Sequence, residues 1–171
     1  MNKAEKIVQL LKLEPHPEGG FFKETYRSEG IIQSESLKSV YQGNRNYSTC
    51  IYYLLTSDVF SAFHRIHQDE IWHFYEGSPI ELHMITPSGE YSKTLIGSDI
   101  ESGQVPQYIV HSGNWFAASV MQKDTYSLAG CTVAPGFDFQ DFEMAKYEEL
   151  AISFPQHMHI IKKFTRTLFN I

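Results

Sequence analysis

Apolar and polar positions change their spacing along this chain, and each change marks a new element. Asn2 and Glu5 form a capping-box pair, Ile7, Leu10 and Leu11 follow at helical spacing, and Pro15 and Pro17 stop the run. This predicts a short amphipathic helix at the N-terminus. After the turn His16-Pro17-Glu18-Gly19-Gly20 the period becomes two, with Phe22, Glu24 and Tyr26 on one side and Phe21, Lys23, Thr25 and Arg27 on the other, a strand signal. Ser28 to Asn46 is polar and without pattern, and reads as a long surface connection or lid.

From Tyr47 to Ala134 short runs rich in Tyr, Phe, Ile, Val and Thr alternate with turn formers. They predict strands near Tyr47 to Thr56, Phe60 to Ile66, Glu70 to Tyr75, Pro79 to Thr86, Tyr91 to Ile96, Gln107 to His111, Trp115 to Met121 and Thr125 to Val133. About eight strands with no room for helical crossovers make the class all-β: a sandwich, jelly roll or small barrel. Phe139 to Leu150 and Pro155 to Phe164 show three-and-four spacing, which predicts one or two C-terminal helices docked outside the barrel. No repeat or linker divides the chain, so one domain over residues 1–171 is expected, with a barrel core at about 20–134.

Composition narrows the function. The 171 residues carry 14 Lys and Arg against 20 Asp and Glu, a formal charge of -6 without a basic run, which argues against a nucleic-acid partner. The longest stretch free of Asp, Glu, Lys and Arg, Ser102 to Gln122, is too polar and broken to span a bilayer, and the first residues lack the apolar core of a signal peptide, so a cytoplasmic address is expected. Cys50 and Cys131 lie in apolar strand-like runs and read as buried thiols.

The densest polar constellation runs from Phe63 to Gly77. In the strand near Pro79 to Thr86, Ile80, Leu82 and Met84 alternate with Glu81 and His83, so even positions face inward there. If the tight turns keep that sense, His64 and Glu70 both enter the interior, where an imidazole and a carboxylate form an acid and base pair or ligate a metal. A carboxylate in that position needs a partner such as His64, Arg27 or a ligand. Trp72 and Trp115 stack on a ligand or fill the core, and Tyr53 and Tyr75 are candidate acids or ligand contacts. Arg27 clamps an anionic group or pairs with Glu24 or Asp69 at the rim. The glycines of Glu18-Gly19-Gly20 and Pro135-Gly136 read as turn residues, and His157 and His159 as surface residues.

His64, Glu70 and Gly77 match the first histidine, the glutamate and the closing glycine of the cupin motif G-x5-H-x-H-x3,4-E-x6-G. The leading glycine is Asp58, the second histidine falls on Ile66, and in the second cupin motif His111, Gly113 and Phe116 stand at the proline, glycine and last histidine. The chain therefore resembles the cupins with two of the four usual metal ligands replaced by apolar residues, so no metal cofactor is expected. His16-Pro17-Glu18-Gly19-Gly20, Glu24-Thr25-Tyr26-Arg27, Asp69-Glu70-Ile71-Trp72-His73, Gly113 to Ala118 and Val133-Ala134-Pro135-Gly136-Phe137 resemble one cupin subgroup more closely, over roughly Ile7 to Pro155. That resemblance implies a jelly-roll barrel (double-stranded β-helix) and a homodimer, to which outward aromatic residues such as Phe63 would contribute. It assigns no reaction. The nearest functional analogues are metal-free sugar-nucleotide epimerases of the dTDP-4-dehydrorhamnose 3,5-epimerase type, with an interior histidine base and a tyrosine acid.

The resulting expectation is a small-molecule-binding cupin acting as a sugar or sugar-nucleotide epimerase or isomerase. His64 would be the base, Glu70 would orient it, and Arg27, Trp72, Tyr75 and Trp115 would contact the ligand. The alternative is a non-catalytic binding or structural protein that has kept the shell and lost the metal site, and a metal-dependent enzyme with irregular ligands is the third reading.

Overall fold

The computed structural model describes residues 2–166. Two antiparallel sheets carry the fold. The first has six strands in the order Glu14–Pro15, Phe21–Arg27, Thr49–Thr56, Tyr126–Ala134, Asp69–Gly77, Gln107–Val110. The second has five, ordered Glu143–Met144, Phe60–Arg65, Trp115–Val120, Ile80–Ile85, Tyr91–Ile96. Their inner faces meet in a jelly-roll barrel, as the sequence predicts, and the strands after residue 47 fall within a few residues of the expected bounds. No helix among the described residues is long and apolar enough to cross a membrane.

Alternation divides the barrel lengthwise. At one end Leu55, Trp72, Leu82, Phe116, Ala118 and Ala129 close the space as a packed core. Toward the other end the inward positions of the same strands become Ile51, Tyr53, His64, Glu70, Cys131 and Val133, and a cavity opens.

The outer faces are covered unequally. Helix α1 (Lys3–Leu11), closed by the reciprocal Asn2 and Glu5 bonds of 2.9 Å, lays Ala4, Ile7, Val8 and Leu11 against Phe21, Leu54 and Tyr126 on the first sheet. Helices α2 (Tyr147–Ser153) and α3 (Met158–Lys163) cover the outer face of the second sheet, where Leu150, Ile161 and Phe164 pack on Phe63, Ile85, Trp115 and Ala117. Phe63 is therefore fully buried inside its own chain and offers nothing to a dimer surface. His83 is buried by the same cover, with no partner for its Nε2 among the described residues and its pKa lowered to about 4 by loss of hydration. Cys131 is buried as expected, whereas Cys50 faces outward and is only half-buried.

The segment after Phe137 departs furthest from the helical expectation. It forms a single 3-10 turn (Phe139–Asp141), then adds Glu143–Met144 to the edge of the second sheet before α2 begins. The cause is Asp141, which turns inward to take a bidentate ion pair from Arg45 at 2.6 and 2.7 Å and a 2.6 Å bond from Gln68. Both partners of the ion pair are almost wholly buried. Arg45 also ends the 28–46 connection, which carries a two-residue ladder (Ile31–Ile32 with Arg45–Asn46) and sends Tyr41 to the His67 carbonyl. None of residues 28–46 lines the cavity, so this connection is not its lid; the segment that it anchors is.

Removing one partner of a buried ion pair leaves a charge in the protein interior, at a cost of about 3–5 kcal/mol. Arg45→Ala and Asp141→Ala should each lower the urea midpoint by that equivalent, and the double Arg45→Met/Asp141→Leu should lower it less than either. Equal losses for the singles and the double would show that packing, not uncompensated charge, holds the segment.

Candidate functional site

The cavity holds about 280 Å³ and is lined mainly by apolar side chains, with His16, Glu18, His64 and Glu70 as its buried ionisable groups besides the Cys131 thiol and the Tyr53 phenol. Glu18 is delivered by the His16 to Gly20 turn, which runs against the strand Phe60–Arg65. The Ala62 N–H donates to the Glu18 carbonyl at 2.9 Å, and Tyr53 Oη donates to the Gly19 carbonyl at 2.7 Å. Gly19 has φ +125°, and a Cβ there would sit 2.1 Å from the Phe60 carbonyl oxygen, so only glycine allows this approach.

Glu18 aims its carboxylate at His64, with Oε2 2.9 Å from Nε2, while Oε1 accepts from the Ser61 hydroxyl at 2.9 Å. The other ring nitrogen, Nδ1, lies 2.7 Å from the Ala62 carbonyl, which can only accept. Both nitrogens therefore face acceptors, and the arrangement is satisfied by an imidazolium beside a carboxylate. Burial works against both charges, yet each holds the other: Glu18 is lowered to about 2 and His64 is raised above its ordinary value. Phe116 at 4.0 Å and Phe142 at 5.3 Å lie against the imidazole ring and add favourable quadrupole contacts to its charge.

Burial and this pair together set the neighbouring groups. Glu70 is pushed up to about 7, first by burial and next by the Glu18 charge, with His64 and the nearby Cys131 thiol and Trp72 indole opposing. Among the described residues the buried Trp72 N–H has no partner at hydrogen-bonding distance, a donor left over beside that carboxyl. His16 is lowered by burial, and the Glu18 backbone N–H, 3.3 Å from its Nδ1, places the ring proton on Nε2. Among the described residues nothing accepts from that Nε2. Near neutral pH one chamber thus holds a fixed imidazolium, a neutral imidazole with a free N–H, and a carboxyl poised between its two states.

His64 and Glu70 share the cavity as alternation predicts, but His64 meets Glu18 rather than Glu70, and its engaged nitrogens correct its expected role as free base. Arg27 reaches the mouth, bound to Glu24 at 2.7 and 2.9 Å, to Asn46 at 2.9 Å and to the Phe137 carbonyl at 3.1 Å. Trp72 lies in the core beneath the chamber without lining it, packed edge-on to Tyr53. Tyr75 stands 47 % exposed on the outer face of the first sheet, beside Tyr52. Trp115 faces α2 and α3, with the Arg65 guanidinium 4.5 Å above its ring. Period two places Tyr75 opposite Trp72 and Trp115 opposite inward Phe116, so neither reaches the cavity. His16 and Glu18 were hidden because their motif also satisfies the rules for a turn.

A divalent metal of the cupin kind does not fit these residues. Both His64 nitrogens are committed, Ile66 and Phe116 occupy the two replaced ligand positions, and Phe116 lies tilted against the histidine ring itself. Among the described residues no group of three or more His, Cys, Asp or Glu is disposed to hold an ion.

A family model described as Cupin superfamily (DUF985) matches residues 5–145. The chain is similar to the Saccharomyces cerevisiae protein YML079W, described as uncharacterized, with 32% identity over 158 residues, 86% of this chain and 78% of that one. It is similar in structure to protein SO0799 from Shewanella oneidensis at 37% identity and TM-score 0.87, covering 97% of this chain and 99% of that one. A hypothetical protein from Leishmania major aligns at 35% identity and TM-score 0.88, over 97% and 100% of the two chains.

Ring ¹⁵N NMR at pH 7 should show both nitrogens of His64 protonated. In Glu18→Gln the burial penalty acts without its main counterweight, so the His64 pKa should fall below 6.5 and the ring should be neutral at pH 7. A neutral His64 in the wild-type protein would refute the ion pair. The stability given by Glu18 is present above 4.5 and lost as the pH falls toward about 2. That given by His64 is present below 6.5 and lost as the pH rises through its raised value. Glu70 has the opposite sense to Glu18: its neutral form is favoured, so stability declines as the pH rises from 4.5 through about 7.

Proposed function

The chain belongs to the cupin superfamily, in the family DUF985, and on that premise we propose that it is a small-molecule enzyme that moves a proton at a carbon next to a carbonyl. The observation that carries the reading is that the cavity holds two neighbouring groups in complementary states. Glu70 is tuned close to neutrality, and His64 is fixed as a cation by Glu18. Efficient proton transfer needs a group whose pKa lies near the working pH, and an enolate needs positive charge and a donor at its oxygen.

The roles follow from the geometry. The Glu70 carboxylate takes the proton from carbon, the C–H electron pair becomes the carbon–carbon π bond, and negative charge collects on the former carbonyl oxygen. The His16 Nε2–H, which has no acceptor among the described residues, donates to that oxygen. His64 supplies a fixed positive charge without giving up a proton, and Glu18 is its positioning residue. Return of the proton from Glu70 to the opposite face of the same carbon, after the intermediate turns over in the cavity, gives the epimer. With an α-hydroxy ketone, transfer of the hydroxyl proton to the former carbonyl oxygen lets Glu70 protonate the former carbonyl carbon as the hydroxyl-bearing carbon becomes the carbonyl, which gives the isomer. Neither outcome changes the redox state. A neutral imidazole as donor and a carboxylate as base is the division of labour that serves enolisation elsewhere.

With small ketones in D₂O, the wild-type protein should accelerate exchange of the hydrogen next to the carbonyl. Glu70→Gln should lower that rate by about 10²–10⁴-fold. The rate should rise as Glu70 ionises through about pH 7 and decline above the raised pKa of His64, a bell whose upper limb moves down in Glu18→Gln. Ligand binding without exchange, unaltered in Glu70→Gln, would leave a binding shell in place of an enzyme.

A further inference from the structure

We propose that the cavity selects uncharged ligands, and that its substrate is a compact ketone or aldehyde with an apolar or aromatic body, carrying neither phosphate nor carboxylate. The carbonyl part of this statement rests on the proton-transfer reading. The charge selectivity rests on the walls and mouth alone.

Between the mouth and the ionisable groups the wall is apolar, formed by Phe22, Ile51, Ile66, Phe137, Phe139 and Phe142. The three last phenylalanines make mutual edge contacts at 5.0–6.4 Å, and His16 packs edge-on to Phe22 at 4.6 Å. Flat or aliphatic surface gains from leaving water here, whereas a polyhydroxylated body would find few partners along this wall. The volume of about 280 Å³ is at the lower edge of the usual range for ligand pockets, roughly 300–1,000 Å³. A nucleotide would have to hang outside, across the mouth.

The mouth opposes that. Among the described lining residues Arg27 is the only Lys or Arg, and its Nε, Nη1 and Nη2 all donate to protein acceptors. Glu24 occupies it bidentately, and Asp138 on the facing segment lies close enough to act on its charge. An incoming anion would have to displace Glu24 and pass Asp138. Inside, the carboxylate of Glu18 already neutralises His64 at 2.9 Å. Carboxylates outnumber cations along the lining, and ionisation of Glu70 widens the gap. Like-charge opposition of this kind excludes wrong ligands more than it strengthens right ones.

Matched fluorinated pairs test this by ¹⁹F NMR: 4-fluorophenylacetone against 4-fluorophenylacetate, and 4-fluoroacetophenone against 4-fluorobenzoate, with His16 and His64 ring shifts locating the bound probe. The ketone of each pair should bind about tenfold or more tighter than the carboxylate. Raising the salt from 20 to 500 mM should strengthen the carboxylate by screening repulsion and leave the ketone in place. In Glu24→Gln/Asp138→Asn, where Arg27 loses both opposing carboxylates, the gap within each pair should narrow. Carboxylates that bind as well as the ketones, weaken with salt, or share the absence of binding with every ketone would overturn the proposal. Deuterium uptake is read on the same samples. Ketones that bind selectively without exchanging would retire the proton-transfer reading and leave the selectivity standing, whereas exchange confined to the carboxylates would do the reverse.

Discussion

One buried ion pair, Glu18 with His64, organises the open end of this barrel. Two charges withdrawn from water persist only where each has a close counter-ion and its remaining polar positions are satisfied. Here the Ala62 carbonyl and the Ser61 hydroxyl supply those partners. Burial does most to drive Glu70 toward its neutral acid, and the Glu18 charge adds to it against His64. Burial likewise drives His16 toward its neutral base, where His64 adds to it and Glu18 opposes. The chemistry available to the cavity is thus adjusted by a contact that need not touch a substrate.

The pair also accounts for the altered metal centre. In the resemblance drawn from the sequence, the position of His64 belongs to a ligand, and a ligand must present a free lone pair. A histidine that points one N–H at a carbonyl and the other at a carboxylate has none to offer. Phe116 and Phe142 then fit the ring as they would fit a cation, and Ile66 lines the space beside it. The apolar replacements at two ligand positions and the new carboxylate from the N-terminal turn are two sides of one exchange, in which an internal organic cation stands where the motif places an inorganic one.

Much of the fold is legible in the residues themselves. Period-two alternation places Ile80, Leu82 and Met84 inside, and it sends His64 and Glu70 to the same interior. The capping box at Asn2 and Glu5 marks the first helix to the residue. Where reading by pattern fails, the cause is a contact distant in sequence. Phe63 is an outward residue of its strand, and it is buried by the return of Leu150, Ile161 and Phe164 from far along the chain. Asp141 looks like the polar face of a helix because Arg45 and Gln68, which draw it inward, lie far upstream. His16 and Glu18 sit in a sequence that turn rules explain completely, and a turn rule cannot say that the turn is pressed against a strand bearing His64. Tyr75 and Trp115 are different, since alternation itself assigns them to outer faces; the pull of aromatic residues toward a ligand role outweighed the pattern.

The Glu18 carbonyl that pairs with Ala62 also accepts from Arg166, 148 residues away along the chain, at 2.9 Å. Contacts of such separation are slow to form, because the intervening loop must close before they repay its lost freedom. In a polypeptide emerging from the ribosome, the barrel strands are all synthesised before Arg166, so the sheets can pair while the turn bearing Glu18 still lacks its last support. The ion pair is then among the final contacts completed. A chain interrupted shortly before Arg166 would lose a clamp at the centre of its chemistry, which makes Arg166 a checkpoint on whether the cavity is finished.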